Sequence, residues 1–270
     1  MTGRSSTSRR PDLMTIEPAD AVTPGRDAEA RHGAEAAPPE RSHVSGWLLV
    51  LLRPIHWLIL HVYFRVEYVH PERIPARGPA LLVPTHRSRW DPIILAGATR
   101  RHLRFMASHD EFVGAQGWLM RRLGAFAVNT KRPTPGVLRH CRDLILAGEP
   151  LVIFAEGTIF YYPPHQVHPI KPGTAWLALE CLEERHETPF PVIPVRMVYS
   201  QRRPGFRTRV EVIIQEPIAL GPYLELPHRE AIRRLTADLQ LGLGDVVNDS
   251  RAEMSPPRAG SGSDSGSNPG

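Results

Sequence analysis

The side chains with the clearest potential for chemistry in this 270-residue chain lie in the segment THRSRWD, residues 85–91. His86 and Asp91 are five positions apart and follow a strongly apolar run that is typical of a buried strand. An imidazole that meets a carboxylate has its tautomer fixed, so its second ring nitrogen can act as a general base. The segment also fits an ordinary helix start, with Ser88 as the cap and Asp91 in the first turn. A rigid capped turn would suit a histidine–aspartate base, so the two interpretations are compatible.

Two further polar clusters follow apolar segments. Residues 129–132 (NTKR) come directly after AFAV, and residues 156–158 (EGT) come directly after LVIFA. In open α/β sheets, function is concentrated where strands end and helices begin, which favours chemistry at all three places. Taken alone, residues 129–132 also fit a solvated basic turn, and residues 156–158 fit a turn glycine with a capping threonine.

The remaining motifs narrow the chemistry. No G-x-S-x-G segment occurs, and neither Cys141 nor Cys181 stands near a histidine in a nucleophile motif. A metal is disfavoured because His86 and Asp91 supply two ligands without an obvious third. We therefore expect the base to activate a substrate hydroxyl, which attacks an acyl group directly. The separated cysteines also predict no disulfide framework and a reducing compartment.

Apolar segments of strand and helix type alternate along the chain and must position these clusters. The predicted strands cover residues 66–69, 79–85, 103–107, 125–128, 151–155, 190–198 and 209–215. The predicted helices cover residues 91–100, 108–123, 134–147, 172–184 and 228–247. The second of these helices is expected to start in a capping box formed by Ser108 and Glu111. This alternation predicts one α/β domain, residues 66–249, with a mixed, mostly parallel sheet covered by helices.

The regions outside that domain are of two kinds. Residues 1–42 and 250–270 lack apolar periodicity, which predicts disordered tails. Residues 43–65 contain the one strongly apolar stretch, GWLLVLLRPIHWLILHVYF. Because Arg53 and Pro54 interrupt it, we expect two short helices that lie in a membrane interface. A buried core helix is the first alternative, and a single membrane span is the second.

Charge favours an anionic partner. Once both tails are set aside, 25 basic residues face 19 acidic ones. An anionic membrane surface, a phosphorylated substrate or a nucleic acid would each suit this excess. The basic residues are not interleaved with aromatic residues that could stack on bases, so nucleic-acid binding is disfavoured.

Four segments together resemble the glycerophospholipid acyltransferase family. THRSRWD is similar to that family's H-x4-D motif with its internal serine. LGAFAVNTKR (123–132), VIFAEGTIF (152–160) and FPVIPV (190–195) resemble the second, third and fourth blocks, in the same order. Ala155 and Ile159 depart from the third block, where the family usually has proline and arginine.

The resemblance implies an acyltransferase with His86 as general base and Asp91 as its orienting partner. The residues implied in substrate binding are Ser88, Asn129, Lys131, Arg132, Glu156, Gly157, Thr158 and Lys171. The reaction would move a fatty acyl group from acyl-CoA or acyl carrier protein to a lysophospholipid, with lysophosphatidate as the favoured acceptor and phosphatidate as product. The thioester is then a co-substrate, no cofactor or metal is expected, and acyl carrier protein is a candidate partner. The enzyme is expected at the cytoplasmic face of the cell membrane.

Ile159 leaves the acceptor open. Without the usual arginine, phosphate binding would fall to Lys131, Arg132 and Lys171, with Arg87 and Arg89 as further candidates. An acyltransferase that uses glycerol phosphate or a non-phosphate lyso-lipid is therefore one alternative. A catalytically silent membrane-binding module is another, although the presence of the full set of polar residues argues against it.

Overall fold

A computed structural model of the chain describes residues 44–129, 135–161, 163, 166–184 and 190–246. The two predicted tails therefore lie outside the described residues, and so do Lys131 and Arg132. Strands and helices largely alternate along the described part, in the order that the sequence predicts.

The strands are β1 (Phe64–Val69), β2 (Ala80–Pro84), β3 (Arg104–Ser108), β4 (Ala125–Val128), β5 (Pro150–Val152), β6 (Gln166–Val167), β7 (Val192–Tyr199), β8 (Thr208–Ile214) and β9 (Asp245–Val246). The α-helices are α1 (Gly46–Leu58), α2 (Asp91–Ala96), α3 (Gly114–Arg122), α4 (Pro135–Leu146), α5 (Gly173–Glu184) and α6 (His228–Leu243). A π-helical turn, Ile59–Tyr63, continues α1 directly into β1.

Seven strands form one sheet in the order β1-β8-β7-β2-β5-β3-β4. The β7–β8 pair is antiparallel, and the other pairs of this sheet are parallel. The strands β2, β3, β4, β5 and β7 consequently point the same way, and their carboxyl ends meet at one edge. The prediction of a mixed, mostly parallel sheet covered by helices is confirmed. The short β6–β9 pair forms a second, separate sheet.

Successive residues of the central strand β2 face opposite sides of the sheet, so both faces are buried. Leu81 and Val83 pack in one core with residues of α4, α5 and α6. Ala80 and Leu82 pack in the other core, with α2 and with residues of the π-helical turn. Burial on both faces explains why this strand is apolar throughout rather than alternating.

The N-terminal apolar segment differs from the expected pair of helices. It forms one continuous helical stretch, Gly46–Tyr63, with Pro54 inside α1. A proline removes one backbone hydrogen bond and bends a helix without necessarily ending it. Leu48 and Leu60 are buried, which ties both ends of this stretch to the domain. β1 begins at Phe64, two residues earlier than expected.

Several helix limits also differ from the predicted ones. No Ser108 capping box forms: a 3-10 turn occupies His109–Glu111, and the Ser108 hydroxyl donates to the Asp110 carboxylate at 3.3 Å. The α-helix starts at Gly114 instead, where φ is +56°. α2 ends at Ala96 and α6 at Leu243, each shorter than predicted, since Gly97 and Gly244 follow them directly.

Candidate active site

The carboxyl end of β2 fixes the position of the THRSRWD segment. The Thr85 backbone N–H donates to the Val195 carbonyl at 3.0 Å, which continues the β2–β7 pairing beyond β2. The Thr85 hydroxyl accepts a hydrogen bond from the Met197 backbone N–H at 2.9 Å. This side-chain contact ties Thr85 to β7, and the chain turns away from the sheet at the next residue, His86.

His86 and Asp91 form a hydrogen-bonded pair. The His86 Nδ1 and Asp91 Oδ2 atoms are 2.9 Å apart. Because an ionised carboxylate only accepts, Nδ1 carries the hydrogen and Nε2 is the basic nitrogen. The Asp91 side chain is fully buried, whereas 18% of the His86 side chain is exposed. The pair therefore presents one histidine nitrogen outward and keeps its carboxylate away from water.

The Asp91 carboxylate is held by several donors besides His86. Its Oδ2 atom accepts from the backbone N–H groups of Arg87 at 2.6 Å and Ser88 at 2.8 Å. Its Oδ1 atom accepts from the Tyr199 hydroxyl. These donors offset the desolvation of a buried charge. The prediction of Ser88 as the helix cap is wrong: α2 begins at Asp91 with Trp90 as its N-cap, and the Ser88 hydroxyl accepts from the Trp90 N–H at 3.2 Å in the turn before the helix.

Three contacts hold the His86 ring and backbone. The imidazole stacks on the Phe154 ring, with centroids 4.1 Å apart. The His86 backbone N–H donates to Glu156 Oε1 at 2.8 Å, and its carbonyl accepts from the Phe160 N–H at 3.0 Å. The residues that follow β5 therefore fix a histidine that follows β2.

Glu156 is a buried carboxylate that connects the backbone at His86 with the backbone at His168. It is 2% exposed, and its second carboxylate oxygen accepts from the His168 backbone N–H at 3.3 Å. Burial raises the pKa of Glu156, while the His86 N–H and the positive charge of Arg87 act in the opposite direction. Arg87 is itself buried and donates to the Gln166 carbonyl. The two side chains bind the protein interior rather than a substrate in the groove described next.

A groove of about 1940 Å³ opens beside the dyad. His86, Phe154, Gly157, Thr158, Ile159 and Lys171 line its polar end, together with Arg89. Apolar side chains continue it toward α1, α3 and α4: Leu49, Val50, Trp90, Ile93, Met120, Leu138 and Leu177. A hydroxyl that meets His86 can thus share the groove with a long hydrocarbon chain.

Gly157 and Lys171 are in close contact at the polar end. Gly157 has φ of +78°, and a Cβ atom there would lie 2.5 Å from Lys171 Nζ. The lysine backbone N–H donates to the Ala155 carbonyl at 2.9 Å, which holds Lys171 beside the EGT cluster. Glycine at this position thus allows an ammonium group to approach the backbone closely.

The structure brings part of the predicted site together. His86, Gly157, Thr158 and Lys171 line the groove, and Asp91 and Glu156 contact His86 from behind. Ser88 is buried and does not line the groove, and the exposed Asn129 follows β4 at the same sheet edge. Arg89 pairs with Glu111 at 3.1 Å. In the described ranges no group of three or more possible metal ligands occurs, so the absence of a metal stays a prediction.

The sequence interpretation missed Tyr199, Phe154 and His168. Tyr199 lies 108 residues from Asp91, so no local spacing connects them. A signal does exist, because β2 and β7 are parallel neighbours with Pro84 paired to Val195. Tyr199 is the last residue of β7, four positions beyond Val195, so it lies at the edge of the sheet where the chain leaves β2. A polar group at the carboxyl end of a strand beside β2 was therefore a candidate contact of the dyad.

Known proteins match this architecture. The family model described as Acyltransferase matches residues 65–198. The 1-acyl-sn-glycerol-3-phosphate acyltransferase of Bacillus subtilis is 23% identical over 193 residues, which cover 71% of this chain and 92% of that protein. The protein of the same name from Streptococcus pneumoniae is 27% identical over 105 residues, and the match covers 37% of this chain and 40% of that relative.

A solved structure shares the fold. The crystal structure of the 1-acyl-sn-glycerophosphate (LPA) acyltransferase PlsC from Thermotoga maritima superposes with a TM-score of 0.52 at 20% identity, over 71% of this chain and 78% of that one. The family match includes the dyad and the EGT cluster, and extends through most of β7. This chain therefore belongs to the glycerophospholipid acyltransferase family, and it is an acyltransferase.

Proposed function

We propose that the protein transfers a fatty acyl group from a thioester to the free hydroxyl of lysophosphatidate, which yields phosphatidate. The observation that carries the proposal is the His86–Asp91 pair, which opens onto a groove with a polar end and apolar walls. The names of the two bacterial relatives support this acceptor. Acyl-CoA and acyl carrier protein both supply the same thioester and are the two candidate donors.

In this reaction the Nε2 atom of His86 takes the proton of the acceptor hydroxyl. The hydroxyl oxygen attacks the thioester carbonyl carbon, the tetrahedral intermediate expels the thiolate, and the imidazolium returns its proton to that sulfur. Asp91 stabilises the transient imidazolium through Nδ1. General-base catalysis of this kind contributes roughly 10²–10⁴-fold, and positioning both substrates in one groove adds to it.

In the described part of the chain two cations line the polar end; Arg89 is paired with Glu111, so the phosphate ligand that we propose is Lys171. Its ammonium lies over Gly157, on the groove that also exposes the His86 imidazole. Ile159 lines the same groove where the family usually has arginine, so Lys171 takes a larger share of phosphate binding. The proposed contributions of Lys131 and Arg132 rest on the sequence alone.

The proposal places the protein on the cytoplasmic face of the membrane, through α1. Gly46–Tyr63 is long and apolar enough to cross a membrane by length and composition, and among the described residues no other helix is. Trp47, Leu51 and Trp57 are exposed on it. Because Arg53 would be costly at mid-membrane depth, an orientation parallel to the surface is favoured. Lysophospholipid and long-chain thioester then reach the groove from the lipid surface.

The deciding experiment measures acyl transfer by purified protein with acyl-CoA and, separately, with acyl carrier protein. Lysophosphatidate is compared with glycerol 3-phosphate and with an uncharged lyso-lipid. His86→Ala should abolish transfer, while His109→Ala, in an exposed histidine–aspartate pair with a 3.2 Å contact, should leave it intact. Substantial transfer by correctly folded His86→Ala would contradict the mechanism.

A second acceptor class is the alternative that Ile159 favours. An apolar residue on the groove instead of an arginine removes one charged phosphate ligand and admits a less polar head group. The same acceptor comparison decides the matter: faster turnover of the uncharged lyso-lipid or of glycerol 3-phosphate would replace lysophosphatidate as the substrate while keeping the base.

A further inference from the structure

Tyr199 is a buried polar residue on the far side of the dyad from the groove. It is 7% exposed, ends β7, and its hydroxyl donates to Asp91 Oδ1. A continuous chain of hydrogen bonds thus runs from Tyr199 through Asp91 to His86.

The chain fixes the carboxylate in a single orientation. Arg87, Ser88 and His86 all donate to Oδ2, and none of these contacts restrains Oδ1. The Tyr199 contact with Oδ1 therefore stops rotation about the bond to the carboxyl group. This contact comes from a strand of the sheet, whereas the other three come from the loop that carries the dyad.

The state of the hydroxyl is also defined by its surroundings. Burial and the Asp91 charge both raise the pKa of Tyr199, so it remains a protonated donor. The other charged or titratable groups around the dyad lie on the loop after β2 and on the segment after β5: Arg87, Arg89, Glu156 and Lys171. Each of these is held by other contacts or faces the groove, so Tyr199 is the side chain that donates to Oδ1.

We propose that Tyr199 is a positioning residue of the acyl transfer, which acts through Asp91 to orient His86 and to limit its basicity. A donor on Oδ1 draws negative charge away from Oδ2, and Oδ2 then attracts the imidazolium proton less strongly. The proposal rests on the proposed function, because it requires His86 to be the base.

The test uses full-length Tyr199→Phe, which keeps the ring and removes only the hydroxyl. We expect kcat to fall roughly 10- to 100-fold, because the released carboxylate no longer holds the imidazole in one orientation, while KM for both substrates stays within about twofold. Without the shared hydrogen, the carboxylate favours the imidazolium more strongly. The acidic limb of the kcat profile should therefore move to higher pH by roughly 0.5 to 1 unit.

Two controls separate positioning from a merely structural role. Tyr223 is also 7% exposed and donates to the Asp238 carboxylate at 2.6 Å, in a contact that involves no residue of the dyad. Tyr223→Phe should therefore leave kcat and the pH profile unchanged. In an Asp91→Ala background, Tyr199→Phe should cause no further loss, because the carboxylate through which Tyr199 reaches His86 is absent.

The outcomes distinguish a failure of the Tyr199 proposal from a failure of His86 as the base. An unchanged kcat in Tyr199→Phe, an additive loss in the double variant, an unmoved acidic limb, or an equal loss in Tyr223→Phe would each overturn the role of Tyr199. Activity that survives His86→Ala would instead overturn the proposed base itself.

Discussion

The substitution Asp91→Asn tests the dyad most directly, because asparagine has nearly the same shape without the charge. In one amide orientation its oxygen replaces Oδ2 and keeps the hydrogen bonds from Arg87, Ser88 and His86. The amide NH₂ then faces Tyr199, whose hydroxyl accepts instead of donating. The variant is therefore expected to fold, and to lose mainly the negative charge beside the imidazolium.

The expected loss follows from the geometry. The contact between Nδ1 and Oδ2 measures 2.9 Å, and the two charge centres lie somewhat farther apart. Unit charges about 4 Å apart at an effective dielectric constant of about 20 interact by about 4 kcal/mol. That interaction develops only when His86 becomes protonated in the transition state, so kcat should fall about 10³-fold with little change in KM.

The assay follows thiol release from acyl-CoA in the presence of lysophosphatidate, across a range of acceptor concentrations. Asp110→Asn is the matched control, because Asp110 is 74% exposed and contacts His109 at 3.2 Å outside the site. It should retain full activity. A loss of less than about tenfold in correctly folded Asp91→Asn would refute the reasoning. It would mean that water screens the interaction between the His86 imidazolium and the Asp91 carboxylate.

Three further changes test neighbouring parts of the site. Glu156→Gln places an NH₂ group against the His86 or the His168 N–H, so unfolding free energy should fall by about 1–3 kcal/mol and kcat should fall with it, measured by denaturant titration and steady-state kinetics. Gly157→Ala strains a residue with φ of +78° and displaces the Lys171 ammonium, so KM for a phosphate acceptor should rise several-fold; an unchanged KM would remove Lys171 from acceptor binding. Replacing the exposed Trp47, which does not line the groove, by serine should weaken flotation with anionic vesicles, and kcat on micellar substrate should remain unchanged.

Much of the fold followed from local pattern, because strands buried on both faces have a continuous apolar signature. β2 and β4 lie within one residue of their predicted limits. The sheet order could not be predicted in the same way. β8 is antiparallel to β7 and parallel to β1, and such pairings depend on contacts between residues far apart in sequence. Helix ends were also missed where glycine, rather than a polar cap, sets the limit, as at Gly114.

In the site, too, local contacts could be predicted from the sequence, and contacts that depend on burial could not. The spacing of His86 and Asp91 predicted their contact, because both lie on one turn of the chain. The roles of the EGT cluster were harder to infer, because they depend on burial. Glu156 was expected to bind substrate, and in the structure its two oxygens accept from the backbone N–H groups of His86 and His168. No sequence pattern reports which backbone groups a buried carboxylate will reach.

The Glu156 carboxylate has a consequence for how the enzyme can vary. The chain leaves this residue through Gly157 and returns to the same carboxylate twelve positions later, at His168. Phe160 lies within this segment, and its N–H donates to the His86 carbonyl at 3.0 Å. Gly157, Thr158 and Ile159, from the same segment, line the groove. A substitution that reshapes the acceptor end of the groove would therefore also shift the base, so head-group preference and turnover would change together.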